Sequence, residues 1–229
     1  SQTIEGLLRE KGLSQSPRAD DTDVVVVNTC AVRQSAEAKV WSRLGQIAAS
    51  SKYGKLPVIV LAGCMAQIPE TIERIRNRVP YVRIVTGPGQ LDKIPGLVEL
   101  AVNDESGKLL TAVSPRRSES HRSHSTQMLP EKLPRTKVPG LSAYVTIMYG
   151  CDNFCTYCIV PFVRGPQVSR KPQHVIEEVE ELASRGYTEI TLLGQNVNAY
   201  GMDLNDQYGF SELLQGLDHI PGLHRIRYF

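Results

Sequence analysis

The stretch Ala143-Tyr144-Val145-Thr146-Ile147-Met148-Tyr149-Gly150-Cys151-Asp152-Asn153-Phe154-Cys155-Thr156-Tyr157-Cys158 decides how the rest of the chain is read. Its first six residues form an apolar β-like run. A loop follows that holds three of the chain's five cysteines at Cys-x3-Cys-x2-Cys spacing. Three thiolates this close can hold one zinc ion or one iron–sulfur cluster. A structural zinc takes four ligands, usually as two separated pairs. Here no histidine is near, and the nearest, His174, lies beyond the start of a helix. A cubane with three protein thiolates leaves one iron open for an outside ligand, and this spacing differs from the ferredoxin patterns that supply four.

Downstream of the loop the pattern repeats. Pro172 to Arg185 is helical, with Val175, Ile176, Val179, Leu182 and Ala183 facing inward and Gly186 closing the end. Glu189 to Leu193 is a strand, followed by Gly194-Gln195-Asn196-Val197-Asn198-Ala199-Tyr200-Gly201. Phe210 to Leu217 is a short helix, and Leu223 to Phe229 begins a third strand. Such βα units, with chemistry in the loops after the strands, predict the first part of a partial (β/α) TIM barrel.

Upstream, strands and helices also alternate. Ile4 to Lys11 is a short amphipathic helix. Asp23 to Asn28 and Pro57 to Gly63 are continuous apolar runs typical of buried parallel strands. Ser35 to Ser50 is a helix with Val40, Trp41, Leu44, Ile47 and Ala48 on one face. Pro69 to Arg78 is a helix, Tyr81 to Thr86 a strand, and Leu91 to Val102 a helix interrupted by proline. This order predicts an α/β fold with a doubly wound parallel sheet. Cys30 and Cys64 each follow a strand, so both should lie on the sheet edge where ligands bind; packing as small buried residues is an equal alternative.

The expected organisation is residues 1–102 as an N-terminal sheet domain, 103–140 as a linker rich in Ser, Pro, Arg and His, and 141–229 as the truncated barrel. His121 and His124 in the linker read as solvated loop histidines. Ser1 enters directly into a helical pattern and Phe229 stops inside a strand pattern, as expected for a piece of a longer protein.

With 229 residues, 41% hydrophobic, the chain can bury real cores. A formal charge of +2 excludes a globally basic nucleic-acid binder but not local patches. No apolar run approaches the roughly 20 residues of a membrane span, and no secretory pattern opens the chain. Five cysteines, an odd number with three of them clustered, do not make a disulfide scaffold. A monomeric cytoplasmic protein is expected.

Several segments together resemble the methylthiotransferase family of radical S-adenosylmethionine enzymes. They are Asn28-Thr29-Cys30-Ala31-Val32-Arg33, Ala62-Gly63-Cys64-Met65-Ala66-Gln67, Gly150 to Pro161, Arg164-Gly165, Val168-Ser169-Arg170 and Leu193 to Tyr200. Ala31-Val32-Arg33 and Gly194 to Asn198 look like the branch that acts on N6-isopentenyladenosine in tRNA. Sister branches act on threonylcarbamoyl-adenosine or on a ribosomal protein. The resemblance implies a radical-SAM barrel, S-adenosyl-L-methionine and two [4Fe-4S] clusters. Cys151, Cys155 and Cys158 would hold the cluster that binds and cleaves the cofactor. Cys30 and Cys64 would hold an auxiliary cluster with a third cysteine that this sequence lacks. It further implies tRNA as substrate and an electron donor such as flavodoxin or ferredoxin.

Other candidates rest on position. Gln195, Asn196 and Asn198 could bond the cofactor or the adenine, or simply cap the loop. Arg164, Arg170 and Lys171 could contact tRNA phosphates, or form a solvated basic loop. Phe154 and Tyr157 could pack on the cluster or on an adenine. Gln167 stands where the family usually carries an acid, which predicts a missing charge contact. A zinc-binding, non-catalytic RNA-interaction module is the reading from a different class.

Overall fold

The computed structural model describes residues 2–18, 21–31, 34–49, 56–114, 141–204 and 208–229. His121, His124, the linker centre and Val32-Arg33 lie outside them. The described residues fall into two units, 2–114 and 141–229.

The first unit is a four-stranded parallel sheet in the order β1 (Val24–Thr29), β2 (Val58–Gly63), β3 (Val82–Thr86), β4 (Leu110–Ala112). Helices cover both faces, as a doubly wound sheet requires. Val40, Leu44 and Ile47 of α2 (Gln34–Ala49) and Ile75 of α3 (Pro69–Arg78) pack on Ile59, Leu61 and Val85. On the other face Ile4 of α1 (Gln2–Glu10) and Ile94, Val98 and Ala101 of α4 (Ile94–Asn103) pack on Val60, Ala62 and Ile84. The strands are apolar on both sides because both sides are covered. Each fully buried Val, Leu or Ile contributes about 1.5–3 kcal/mol.

Two local features depart from the sequence reading. The segment Leu91 to Val102 is not one helix: a 3-10 turn over Pro88–Lys93 precedes α4, so Pro95 sits in the first turn of a new helix, where its missing N–H costs nothing. Residues 104–114, read as the start of the linker, instead carry β4 and join the sheet. Leu110, Thr111 and Ala112 pair with Ile84, Val85 and Thr86. Arg83 marks a register shift between β2 and β3, and its guanidinium bonds the carbonyl and carboxylate of Asp104 at 3.0 and 3.1 Å. Hydrogen bonds from the Ser106 hydroxyl and backbone hold the Asp104 carboxyl below the usual carboxylate range.

The second unit is a parallel sheet in the order β5 (Ser142–Thr146), β8 (Glu189–Leu193), β9 (Arg225–Tyr228). Connecting helices α6 (Pro172–Ser184) and α7 (Phe210–Asp218) cover one face. Val175, Val179, Leu213 and Leu217 pack there on Val145, Ile147, Ile190 and Leu192. The opposite face is polar: Tyr144, Thr191 and Arg227 share one register row, and Arg225 and Arg227 both pair with Glu189. Three strands in sequence order with helices on one side are the opening of a (β/α) barrel. The run Ala143 to Met148 is divided. At Ile147 the chain changes partners: its N–H reaches Leu193 and its carbonyl accepts from Arg170. Met148 and Tyr149 (β6) then pair antiparallel with Ser169 and Val168 (β7).

Candidate functional site

The cysteine loop leaves β6 through Gly150, which sits at φ +64°. A Cβ there would lie 1.8 Å from the Pro166 carbonyl oxygen, so only glycine lets the two backbones meet this closely. Next to it the Cys151 N–H donates to the Gly165 carbonyl at 3.2 Å, closing the base of the loop. Cys151 is buried, Cys158 half-buried and Cys155 exposed. The Cys158 N–H donates to the Cys155 carbonyl at 2.9 Å, so these two flank a single turn. Phe154 holds a left-handed backbone at φ +43°, a strain of roughly 1–2 kcal/mol for a bulky residue. Its ring meets Phe162 of α5 (Val160–Arg164) edge-on at 6.2 Å. Tyr157 is 89% exposed at the loop tip.

All five cysteines are free thiols. Among the described residues no three His, Cys, Asp or Glu side chains are gathered closely enough to hold a metal ion. Cys151, Cys155 and Cys158 thus share a loop without closing around a centre. Three free cysteine thiols on one loop are the donor chemistry of a group that takes three protein thiolates and keeps one position for an outside ligand.

In the first unit, β1 and β2 end in register, with Thr29 opposite Gly63. Cys30 and Cys64 are the next residues on each chain, so both leave the same sheet edge side by side. Gly63 at φ +100° is another enforced glycine, since a Cβ would stand 2.4 Å from the Thr29 carbonyl oxygen. The Thr29 hydroxyl donates to the Ala62 carbonyl at 2.7 Å. Cys64 opens a buried 3-10 turn, Cys64–Gln67. The side-chain amide of Gln67 donates to the Ser114 carbonyl, and its oxygen accepts from the Ser114 N–H at 3.2 Å. That amide pins the chain beyond β4 to the cysteine edge.

Around the loop after β8, Gln195 and Asn198 are exposed and Asn196 half-buried. They stand at the C-terminal end of β8, the end of the sheet from which the cysteine loop also departs. Arg164 is half-buried at the end of α5, and Lys171 is exposed just before α6. Arg170 is a correction. Its side chain is only 3% exposed, and it bonds Glu178 and the Thr146 carbonyl, each at 2.7 Å. It ties β5 to α6 from within and cannot reach a phosphate. The Glu178 partner eight residues downstream, on the inward side of the next helix, was the available signal. Gln167 also behaves differently from expectation. Its amide donates to the Ala199 carbonyl at 2.6 Å and to Asp203 at 3.2 Å, two contacts a carboxylate could not make. Tyr200, fully buried, donates to the Arg170 carbonyl at 2.7 Å, and burial, reinforced by the neighbouring Tyr208, pushes its phenol well up.

A β/α sheet with a three-thiol loop at its C-terminal edge agrees with what the comparisons find: residues 145–222 match the profile of the radical S-adenosylmethionine superfamily. Residues 1–87 match a second profile, described as uncharacterized protein family UPF0004. More particularly, the chain is 40% identical over 237 residues to the tRNA-2-methylthio-N(6)-dimethylallyladenosine synthase of Moorella thermoacetica, covering all of this chain and 49% of that protein. The synthase of the same name from Syntrophomonas wolfei is 42% identical over 228 residues, covering all of this chain and 48% of that one. The chain thus spans about half the length of these relatives, and the resemblance to the methylthiotransferase family is borne out. Among solved structures it is similar to the radical S-adenosylmethionine methyltransferase TsrM from Kitasatospora setae, solved with cobalamin and a [4Fe-4S] cluster. That likeness has a TM-score of 0.40 at 18% identity over 81% of this chain and 38% of the other, too distant to bear on function.

Proposed function

We propose that the chain is the core portion of a radical S-adenosylmethionine methylthiotransferase, a transferase acting on tRNA. Its reaction is addition of a methylthio group to C2 of N6-isopentenyladenosine beside the anticodon. The observation that carries this reading is a three-thiol loop closing on a glycine-tight base, in a chain whose other unit sets two further cysteines on one sheet edge. The likeness of the whole of this chain to about half of two proteins named as synthases of that activity supports the substrate.

In this reading Cys151, Cys155 and Cys158 hold one [4Fe-4S] cluster, and Cys30 and Cys64 contribute to a second. When bound, the clusters supply single-electron reduction of S-adenosylmethionine and the sulfur to be transferred; the hard chemistry belongs to the cofactors. The chain's own residues orient and shield. The amides of Gln195, Asn196 and Asn198 offer hydrogen bonds to the cofactor or the adenine. Phe154 and Phe162 cover one side of the loop, and Tyr157 presents an open ring on which an adenine can stack. Arg164 and Lys171 meet phosphates. The partners are tRNA and an electron donor of the flavodoxin or ferredoxin kind, for a monomer working in the cytoplasm. No helix among the described residues is long and apolar enough to cross a membrane.

Anaerobic reconstitution with iron and sulfide tests the assignment. A brown protein is expected that cleaves S-adenosylmethionine when reduced. Replacing Cys151, Cys155 and Cys158 together by Ala should abolish that cleavage. Cleavage surviving the triple change, or a colourless zinc protein, refutes the reading. Offering isopentenyl-adenosine tRNA, threonylcarbamoyl-adenosine tRNA and ribosomal protein to the longer protein, and detecting the added methylthio group, fixes the substrate.

A further inference from the structure

The segment between α5 and α6 runs between the cysteine loop and the loop after β8, and it is bonded to both. On the cysteine side, the Gln167 N–H donates to the Asp152 carboxylate at 3.2 Å and Gly165 accepts from Cys151. On the other side, the Asp203 carboxylate accepts from the Ser169 N–H at 2.7 Å, the Ser169 hydroxyl at 2.5 Å and the Gln167 amide at 3.2 Å. The Gly201 N–H donates to that same hydroxyl at 2.9 Å. Ser169 is buried, whereas Asp203 stands at the surface. One carboxylate therefore gathers three donors from β7 and the residue just before it, and the strand paired with β7, β6, runs directly into Gly150 and Cys151.

From this network we infer that Asp203, acting through Ser169 and Gln167, is a positioning residue that sets the cysteine loop against the Gln195-to-Asn198 loop. It rests on the assignment of the cysteine loop as the cofactor site. Asp203 and Gln167 touch neither cluster nor cofactor; they fix the separation of the two loops that do. The identity of residue 167 matters to this arrangement. A glutamine supplies the donor that the Asp203 carboxylate and the Ala199 carbonyl both need. A glutamate would set a second negative charge against Asp203 and donate to neither.

The test uses the protein in two states. In the cluster-free protein, Asp203→Ala should speed amide hydrogen exchange over residues 150–158 by about tenfold, while amides of α7 keep their protection. In the reconstituted protein, Asp203→Ala should raise the KM for S-adenosylmethionine by about 10- to 100-fold, the usual effect of losing an outer-shell contact, with iron content unchanged. Gln167→Glu should act in the same direction. The double variant Gln167→Glu with Asp203→Asn should recover toward wild type, because an asparagine amide can donate to the new carboxylate. That reciprocal rescue is not expected of residues that only stabilise the fold, and it keeps the idea testable should Asp203→Ala fail to fold. Unchanged exchange at 150–158, or a lower Tm with an unchanged KM, overturns the inference. A wild-type protein that takes up no cluster refutes the proposed function instead, and the exchange measurement alone then judges Asp203.

Discussion

Replacing Gly150 by Ala should unfold the second unit far more readily than any ordinary glycine substitution in it. The added Cβ meets the Pro166 carbonyl oxygen at 1.8 Å and the Gly165 carbonyl oxygen at 2.5 Å, both backbone atoms. Real contacts begin above 3.0 Å, so the 165–166 backbone must retreat by more than an ångström. That movement breaks the Cys151-to-Gly165 bond and strains the pairing of Tyr149 with Val168. Two or three hydrogen bonds at about 1 kcal/mol each, added to roughly 1 kcal/mol for an alanine in the left-handed region, give a loss of about 3–4 kcal/mol. Gly186→Ala is the matched control. Gly186 is also left-handed, at φ +89°, with nothing within 4 Å of its added Cβ. It ends α6 with paired bonds from Gly186 to Ala183 and Tyr187 to Leu182, a helix stop that uses glycine for its backbone alone. Its substitution should cost only about 1 kcal/mol. Urea unfolding of both variants, with unchanged m-values confirming two-state behaviour, measures the difference. Equal destabilisation would show that the close approach at the base of the cysteine loop carries no energy, and the account of that loop would fall.

Arg170→Met should destabilise the second unit by about 3–5 kcal/mol, since it removes one side of a buried ion pair, and should leave tRNA affinity of the folded fraction unchanged in a filter-binding titration. Gln67→Leu should cost about 1–3 kcal/mol by depriving the Ser114 backbone of its side-chain partner, and amide exchange at Ser114 should accelerate while β2 amides keep their protection.

The parallel strands were legible because burial on both faces writes itself as continuous apolar runs. Val58 to Ala62 has no other plausible reading. The cysteine loop was legible from spacing, and the edge position of Cys30 and Cys64 from the rule that parallel strands end together. What the sequence hid was whatever depends on tertiary partners. β4 has only Leu110, Thr111 and Ala112, too short to show a period, and becomes a strand because β3 offers an open edge. Arg170 stands beside Lys171 and looks like half of a basic patch. Only the packing of α6 against β5 turns one inward to Glu178 and leaves the other in water. Asp203 and Gln167 lie 36 residues apart along the chain, and no local pattern links an acid in one loop to an amide in another.

The in-step ending of β1 and β2 has one further consequence. Because Thr29 and Gly63 are register partners, the spacing of Cys30 and Cys64 is dictated by the hydrogen-bond ladder, at about 4.8 Å between strands, and not by the crossover that joins them. Insertions or deletions between α2 and β2 should therefore be tolerated without altering the distance between the two thiols. Loss of a single residue inside Val24–Thr29 should not be, since it shifts Cys30 by about 3.3 Å along the strand and reverses the side to which its thiol points.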